Sequence, residues 1–283
     1  MIDISFLKEL DRFDIVLKKR VLSRYQGERQ SHAEGQGLVF SDYKDYVPGD
    51  DFRTIDWKVY ARTNKFYVKQ FEEERNMLVH IIIDASASMD YGRRITKFDY
   101  ASMIGLGYAY MALKNNEKFN FSTFAESLNY LRARKGLNQL LSILHILEGL
   151  KIKGKTELRK AFDEYKKYIR SKSFIVIISD FLYDIEEIKS VLTRFIKHEV
   201  IVVQVLDPEE RRLALYGDVL LEDSEIHTKL RTFISNRLMR DYKNKIEHHI
   251  HAIKDVCEHL GHDFISITTD RPIFDTFYAT LRT

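Results

Sequence analysis

Apolar residues in this chain fall into two alternating kinds of segment. Short, nearly continuous runs such as Ile81-Ile82-Ile83 and Ile175-Val176-Ile177-Ile178 carry no polar face, as parallel strands covered on both sides do. Longer stretches between them space their apolar residues three and four apart, the signature of amphipathic helices. By this pattern residues 78–83, 119–124, 174–178, 200–206 and 264–267 are predicted strands. Residues 96–113, 137–150, 157–169, 185–195 and 229–260 are predicted helices, and 207–227 a connection. The alternation predicts an α/β fold, a doubly wound, mostly parallel sheet with helices on both faces.

The first quarter of the chain is patterned differently. Phe6, Leu7, Leu10, Phe13, Val16, Leu17, Val21 and Leu22 have helical spacing over residues 1–25, and 26–37 turns polar, as a loop does. Pro48-Gly49-Asp50 reads as a turn. Residues 55–60 and 66–71 are rich in β-formers around Thr63-Asn64-Lys65, which predicts a β-hairpin. The expected division is an N-terminal helix and hairpin extension over 1–75 and an α/β domain over 76–283.

Composition narrows the classes of function. Forty-five Lys and Arg against 42 Asp and Glu give a net charge of +3, with the signs interleaved, so nothing points to nucleic acid. The single cysteine, Cys257, excludes an internal disulfide and a cysteine-rich metal site. No run approaches the roughly 20 apolar residues of a membrane span. Met1-Ile2-Asp3-Ile4-Ser5 shows no secretory pattern, and a cytoplasmic location is expected.

Several predicted strands run into an aspartate: Asp84, Asp180, Asp207 and Asp270. Open α/β sheets bind ligands at the carboxyl ends of their strands, so the chemistry is expected there. Asp84-Ala85-Ser86-Ala87-Ser88 puts a carboxylate and two hydroxyls at alternate positions just past a strand, where a tight loop can turn three oxygens inward. Hard divalent ions take oxygen ligands, Mg²⁺ at roughly 2.0–2.1 Å. Helix capping would also use such residues. Thr156, in Gly154-Lys155-Thr156, adds a third hydroxyl, and Asp180 a second carboxylate.

Asp84, Ser86, Ser88, Thr156 and Asp180 together resemble the metal-ion-dependent adhesion site of von Willebrand factor A domains. That resemblance implies Mg²⁺, with Mn²⁺ or Ca²⁺ as alternatives, and an open position for an acidic side chain of a partner protein. No general base or nucleophile accompanies the set. Upstream, Phe40-Ser41-Asp42-Tyr43, Tyr46-Val47-Pro48-Gly49-Asp50-Asp51, Arg53-Thr54-Ile55-Asp56-Trp57, Ala61-Arg62 and Phe71-Glu72-Glu73-Glu74-Arg75 resemble the signature of a bacterial family. It is known as domain of unknown function fifty-eight and grouped with von Willebrand A-like proteins. The resemblance spans about residues 20–283. It implies a cytoplasmic protein that acts with a MoxR-type AAA+ ATPase, which is the expected partner. The family's threonine loop is usually Gly-Gly-Thr-Asp; Lys155 here sets a positive charge beside it.

Other patterns compete. Residues 149–156, Gly149 to Thr156, match the phosphate-binding G-x-x-x-x-G-K-T pattern, which needs a strand before it. The preceding residues have helical periodicity, so nucleotide hydrolysis is the alternative reading. A haloacid-dehalogenase-type phosphatase needs a second acid two residues after Asp84, where Ser86 stands. His248, His251, Asp255, His259 and His262 share one helical face, which could hold Zn²⁺ or be merely solvated. Trp57 would anchor a docking surface if exposed.

Overall fold

The computed structural model describes residues 38–73, 78–150, 152, 154, 157–213, 216–222 and 229–280; the helix expected over 1–25 and the loop after it lie outside them. The described residues form two compact units, 38–73 and 78–280.

In the first unit, β1 (Leu38–Asp45) is followed by α1 (Trp57–Thr63) and β2 (Tyr67–Glu73), and β1 pairs antiparallel with β2. The strand expected over 55–60 is thus a helix, and 38–45 supplies the hairpin's other strand. Asp56 accepts from the N–H groups of Lys58 and Val59, and Asn64 closes the helix at φ 56°. These two caps outweigh the β-preference of Val59 and Tyr60. Ile55 keeps a single bridge to Val68. The expected turn is present: Asp50 N–H donates to Val47 O at 3.0 Å, with Gly49 at φ +116°.

The second unit runs β3 (Leu78–Asp84), α2 (Lys97–Lys114), β4 (Lys118–Phe124), β5 (Leu128–Arg134), α3 (Leu137–Gly149), α4 (Leu158–Tyr165), β6 (Ser173–Ser179) and α5 (Ile185–Leu192). It continues with β7 (Glu199–Leu206), α6 (Pro208–Arg212), β8 (Gly217–Glu222), β9 (Lys229–Ile234), α7 (Asn236–Leu260), β10 (Asp263–Thr268) and α8 (Ile273–Thr280). Among the described residues, six strands form one sheet in the order β10-β7-β6-β3-β4-β5. Every pair is parallel except β4 with β5. The chain starts in the middle at β3, winds outward through β4 and β5, then crosses to β6 and winds outward the other way. This is the expected doubly wound, mostly parallel α/β architecture, and its switch point lies between β3 and β6.

Alternation along β3 divides its apolar run between two faces. Ile82 joins a core with Phe162 and Tyr165 of α4, Ile188 and Leu192 of α5, and Ile253 and Cys257 of α7. Ile81 and Ile83 point to the other face, where Gly105 lets α2 approach: a Cβ there would lie 2.8 Å from Ile83 Cδ1. On that face α8 is tied to α2 by Tyr100 Oη and Thr276 Oγ1 at 2.6 Å.

Five elements of this unit are not expected from the pattern. The predicted helix over 229–260 begins only at Asn236, where Ser235 caps it; Lys229–Ile234 is β9, paired with β8 in a separate hairpin. The expected connection over 207–227 therefore contains α6 and β8. The edge strand β5 and the terminal helix α8 extend the alternation in segments too polar or too short to announce themselves. Among the described residues no helix is long and apolar enough to cross a membrane.

Candidate metal centre at the sheet's switch point

β3 and β6 end side by side, and their last residues set the site. Ala85 N–H continues the sheet by donating to Phe124 O at 2.8 Å. The chain then turns through a single 3₁₀ turn, Ala87–Asp90, pinned by the fully buried Met89. Asp84 Oδ1 accepts from Ser86 N–H at 2.9 Å, so the carboxylate organises its own loop. Ser88 Oγ donates to Asp180 Oδ2 at 2.7 Å. Its one proton being spent there, the 3.0 Å contact between the two serine hydroxyls has Ser86 as donor.

Asp84, Ser86, Ser88 and Asp180, 96 positions apart at their extremes, are thus joined in one hydrogen-bonded set, and all but Ser88 are fully buried. The fifth expected ligand, Thr156, lies outside the described residues, as does Lys155. Gly154 accepts from Ala87 N–H at 3.1 Å, which brings Gly154 itself against the serine turn.

Residues that no motif singles out complete the surroundings. Ser179 and Tyr183 hydroxyls donate to Asp84 Oδ2 at 2.7 and 2.6 Å. Gln204 Nε2 donates to the Asp180 carbonyl at 2.9 Å. Phe181 takes φ 49°, strained for a residue with a Cβ, and buries its ring in the core. Ser179 Oγ accepts from its N–H at 3.0 Å, and His249 Nε2 donates to its carbonyl at 2.7 Å. The strain is held beside Asp180, where it turns the chain sharply after the strand. Lys97, the first residue of α2, is fully buried; its Nζ donates to Asp180 Oδ2 at 2.9 Å and Glu210 Oε1 at 2.6 Å.

The electrostatics follow from burial and charge. Loss of water around Asp84, with the nearby Asp180 charge, raises its carboxyl to about 6 despite the three hydrogen bonds it accepts. Burial works against the Lys97 ammonium, but the Asp180 and Glu210 carboxylates outweigh it and hold the lysine above its ordinary range. Burial also raises Glu210, with Lys97 opposing. Asp180 and Glu210 face one ammonium, and the Asp84 carboxylate, under the charge of Asp180, adds a third negative group, a net of two negative charges among these four groups. An all-oxygen donor set with that residual charge suits a hard divalent cation. Among the described residues no three His, Cys, Asp or Glu side chains form a metal-holding group, so a site here depends on hydroxyls as well as carboxylates.

The competing patterns fare differently. Gly149 ends helix α3, so the strand that a phosphate-binding loop requires does not precede it. His248, His251 and His259 are exposed on α7, and the ring Nδ1 atoms of His251 and His259 donate to the carbonyls of Glu247 and Asp255 one turn back. Cys257 is buried in the core, which raises its thiol to about 12 and leaves it inert. In the first unit Trp57 is exposed, its ring edge-on to Tyr60 and Phe66.

The chain is similar to known proteins along most of its length. An uncharacterized protein of Mycobacterium bovis is 26% identical over 269 residues, 93% of this chain and 84% of that one. One from Mycobacterium avium is 30% identical over 115 residues, 41% of this chain and 68% of that one. An aerotolerance-related membrane protein of Bacteroides fragilis, crystallised with multiple mutations to serine, matches at a TM-score of 0.45 with 15% identity, over 73% of this chain and 97% of that one. The SpRpn10 VWA domain matches at 0.43 with 12% identity, over 71% and 93%. The sequence profile of the family described as protein of unknown function DUF58 matches residues 42–252, and the chain belongs to that family.

Proposed function

We propose that this protein is a non-enzymatic, metal-dependent interaction module. Asp84 and Asp180 would supply charge to a Mg²⁺ ion, and Ser86, Ser88 and Thr156 neutral oxygens; Mn²⁺ and Ca²⁺ are the alternatives. The ion, when bound, supplies an open Lewis-acid position that a partner's carboxylate can fill. The partner is a protein presenting an acidic side chain, and the family resemblance makes a MoxR-type AAA+ ATPase or its client the first candidate.

One observation carries this reading: two carboxylates and two hydroxyls from β3 and β6 meet in a single hydrogen-bonded set at the switch point of the sheet. Tyr183 and Ser179 orient Asp84, and the strained turn at Phe181 orients Asp180, so the ligands are preorganised. The set contains no histidine, cysteine or free base poised to attack a substrate, which favours binding over catalysis.

The test is partner capture. Wild-type protein and Asp84→Asn are compared for binding to a purified MoxR-type ATPase from the same organism, in Mg²⁺ and in chelator. Binding is expected for wild type in Mg²⁺ alone. Equal binding in chelator, or by Asp84→Asn, would contradict the mechanism.

A further inference from the structure

Lys97 stands in a costly place. Its ammonium is removed from water, and it sits in the first turn of α2, the positive end of the helix dipole. Two carboxylates offset that cost, Asp180 and Glu210, and they belong to different parts of the fold. Asp180 follows β6 and is a ligand in the site proposed above. Glu210 lies on α6, where its other oxygen, Oε2, accepts from Asp207 N–H at 3.0 Å in a capping box. That bond fixes the Glu210 carboxylate with Oε1 on the ammonium at 2.6 Å.

Asp180 Oδ2 already accepts the Ser88 hydroxyl proton at 2.7 Å when it takes the Lys97 ammonium at 2.9 Å. Both lone-pair directions of that oxygen are therefore in use. A divalent ion approaching it meets a positive charge already in place. Glu210 provides the alternative seat, since an ammonium held by two carboxylates can give up one without being left alone.

We propose that Lys97 is a resident counter-cation that regulates the site: it neutralises Asp180 in the ion-free protein and passes to Glu210 when a divalent ion binds. This inference rests on the metal-site reading above and adds a regulator to it. Ion binding then becomes an exchange of one cation for another, which lowers affinity and keeps the free site from collapsing under its own repulsion. It also couples occupancy to α6. That helix is tied to the loop entering α2, because Tyr91 Oη and Arg93 both bond Glu209, at 3.0 and 2.6 Å.

The experiment is a calorimetric Mn²⁺ titration of wild type, the double variant Lys97→Met/Glu210→Gln, and Glu210→Gln alone. The double variant removes one positive and one negative charge, so the cluster keeps its net charge while Asp180 loses its competitor. It is expected to bind Mn²⁺ at least about tenfold more tightly than wild type. Glu210→Gln confines the ammonium to Asp180 and should bind about tenfold more weakly. If wild type binds Mn²⁺ and the double variant binds no more tightly, the role given to Lys97 is wrong while the metal site stands. If neither protein binds Mn²⁺, the metal site itself is wrong and this inference falls with it. Should circular dichroism show the double variant unfolded, Glu210→Gln decides, and unchanged affinity there overturns the proposal.

Discussion

Asp84 and His80 lie on one strand, four residues apart, and show what burial does to two opposite charges. Asp84 is kept partly reluctant to ionise, while His80 is kept neutral. The His80 ring is enclosed between β4 and α4, with Nδ1 at 2.7 Å from Tyr165 Oη and 3.0 Å from Asn120 Nδ2. Burial first, and His198 second, push it down to about 4 from 6.5. In the unfolded chain the same imidazole protonates near 6.5, so between those values the unfolded state binds more protons. Stability conferred by neutral His80 is complete above about pH 6.5 and is lost as pH falls toward 4. At about 1.4 kcal/mol per unit the loss amounts to roughly 3 kcal/mol. Denaturant unfolding of wild type and His80→Gln between pH 4 and 7 checks this: the variant should lose much of that slope, and parallel pH profiles would refute it. At this scale the sequence was legible where chemistry is local. Asp84, Ser86 and Ser88 are neighbours in the chain, and Asp180 closes an apolar run. Lys97 and His249 were not legible, because each looks like one of many charged positions on a helix. Their partners lie 83 and 68 residues away.

Helix α2 supplies Lys97 to the site and packs closely on the sheet that carries it. Gly105 and Gly107 let it approach closely: an added Cβ would meet Ile83 Cδ1 at 2.8 Å in the first case and Phe277 Cε2 at 2.6 Å in the second. In an exposed helix Gly→Ala gains about 1 kcal/mol. Here overpacking against the sheet reverses the sign, and Gly105→Ala should cost about 1–3 kcal/mol in denaturant unfolding; a stabilised variant would show that α2 has slack to retreat. Elements with continuous apolar runs or long helical periodicity were readable from the sequence, among them β3, β6, β7, α2 and the body of α7. The others were decided by features that outrank pattern. Asp56 and Asn64 cap a helix through residues with strand preference, and Ser235 starts α7 where periodicity alone runs on through β9. In β5, Asn129, Arg132 and Arg134 interrupt the apolar residues of a sheet edge, which reads as loop until β4 is there to pair with it.

For the whole molecule, the order of the strands matters more than any single residue. Winding outward from β3 in both directions leaves the carboxyl ends of β3 and β6 adjacent with no helix connecting them directly, and the gap is filled by side chains that carry charge. The fold therefore gathers Asp84 and Asp180 whatever the intervening sequence does, and Ser86 and Ser88 follow from the turn after β3. Two acids so placed repel, and contacts from Lys97 to Asp180 and from Tyr183 and Ser179 to Asp84 offset that repulsion. The metal-dependent function proposed above would have a divalent cation meet the remaining imbalance. The direct measurement is electron paramagnetic resonance of Mn²⁺ titrated into the purified protein, with Asp84→Asn alongside. One bound Mn²⁺ per chain, displaced by excess Mg²⁺ and absent from Asp84→Asn, is the predicted result. A spectrum of free Mn²⁺ throughout the wild-type titration, or identical binding by the variant, would contradict it.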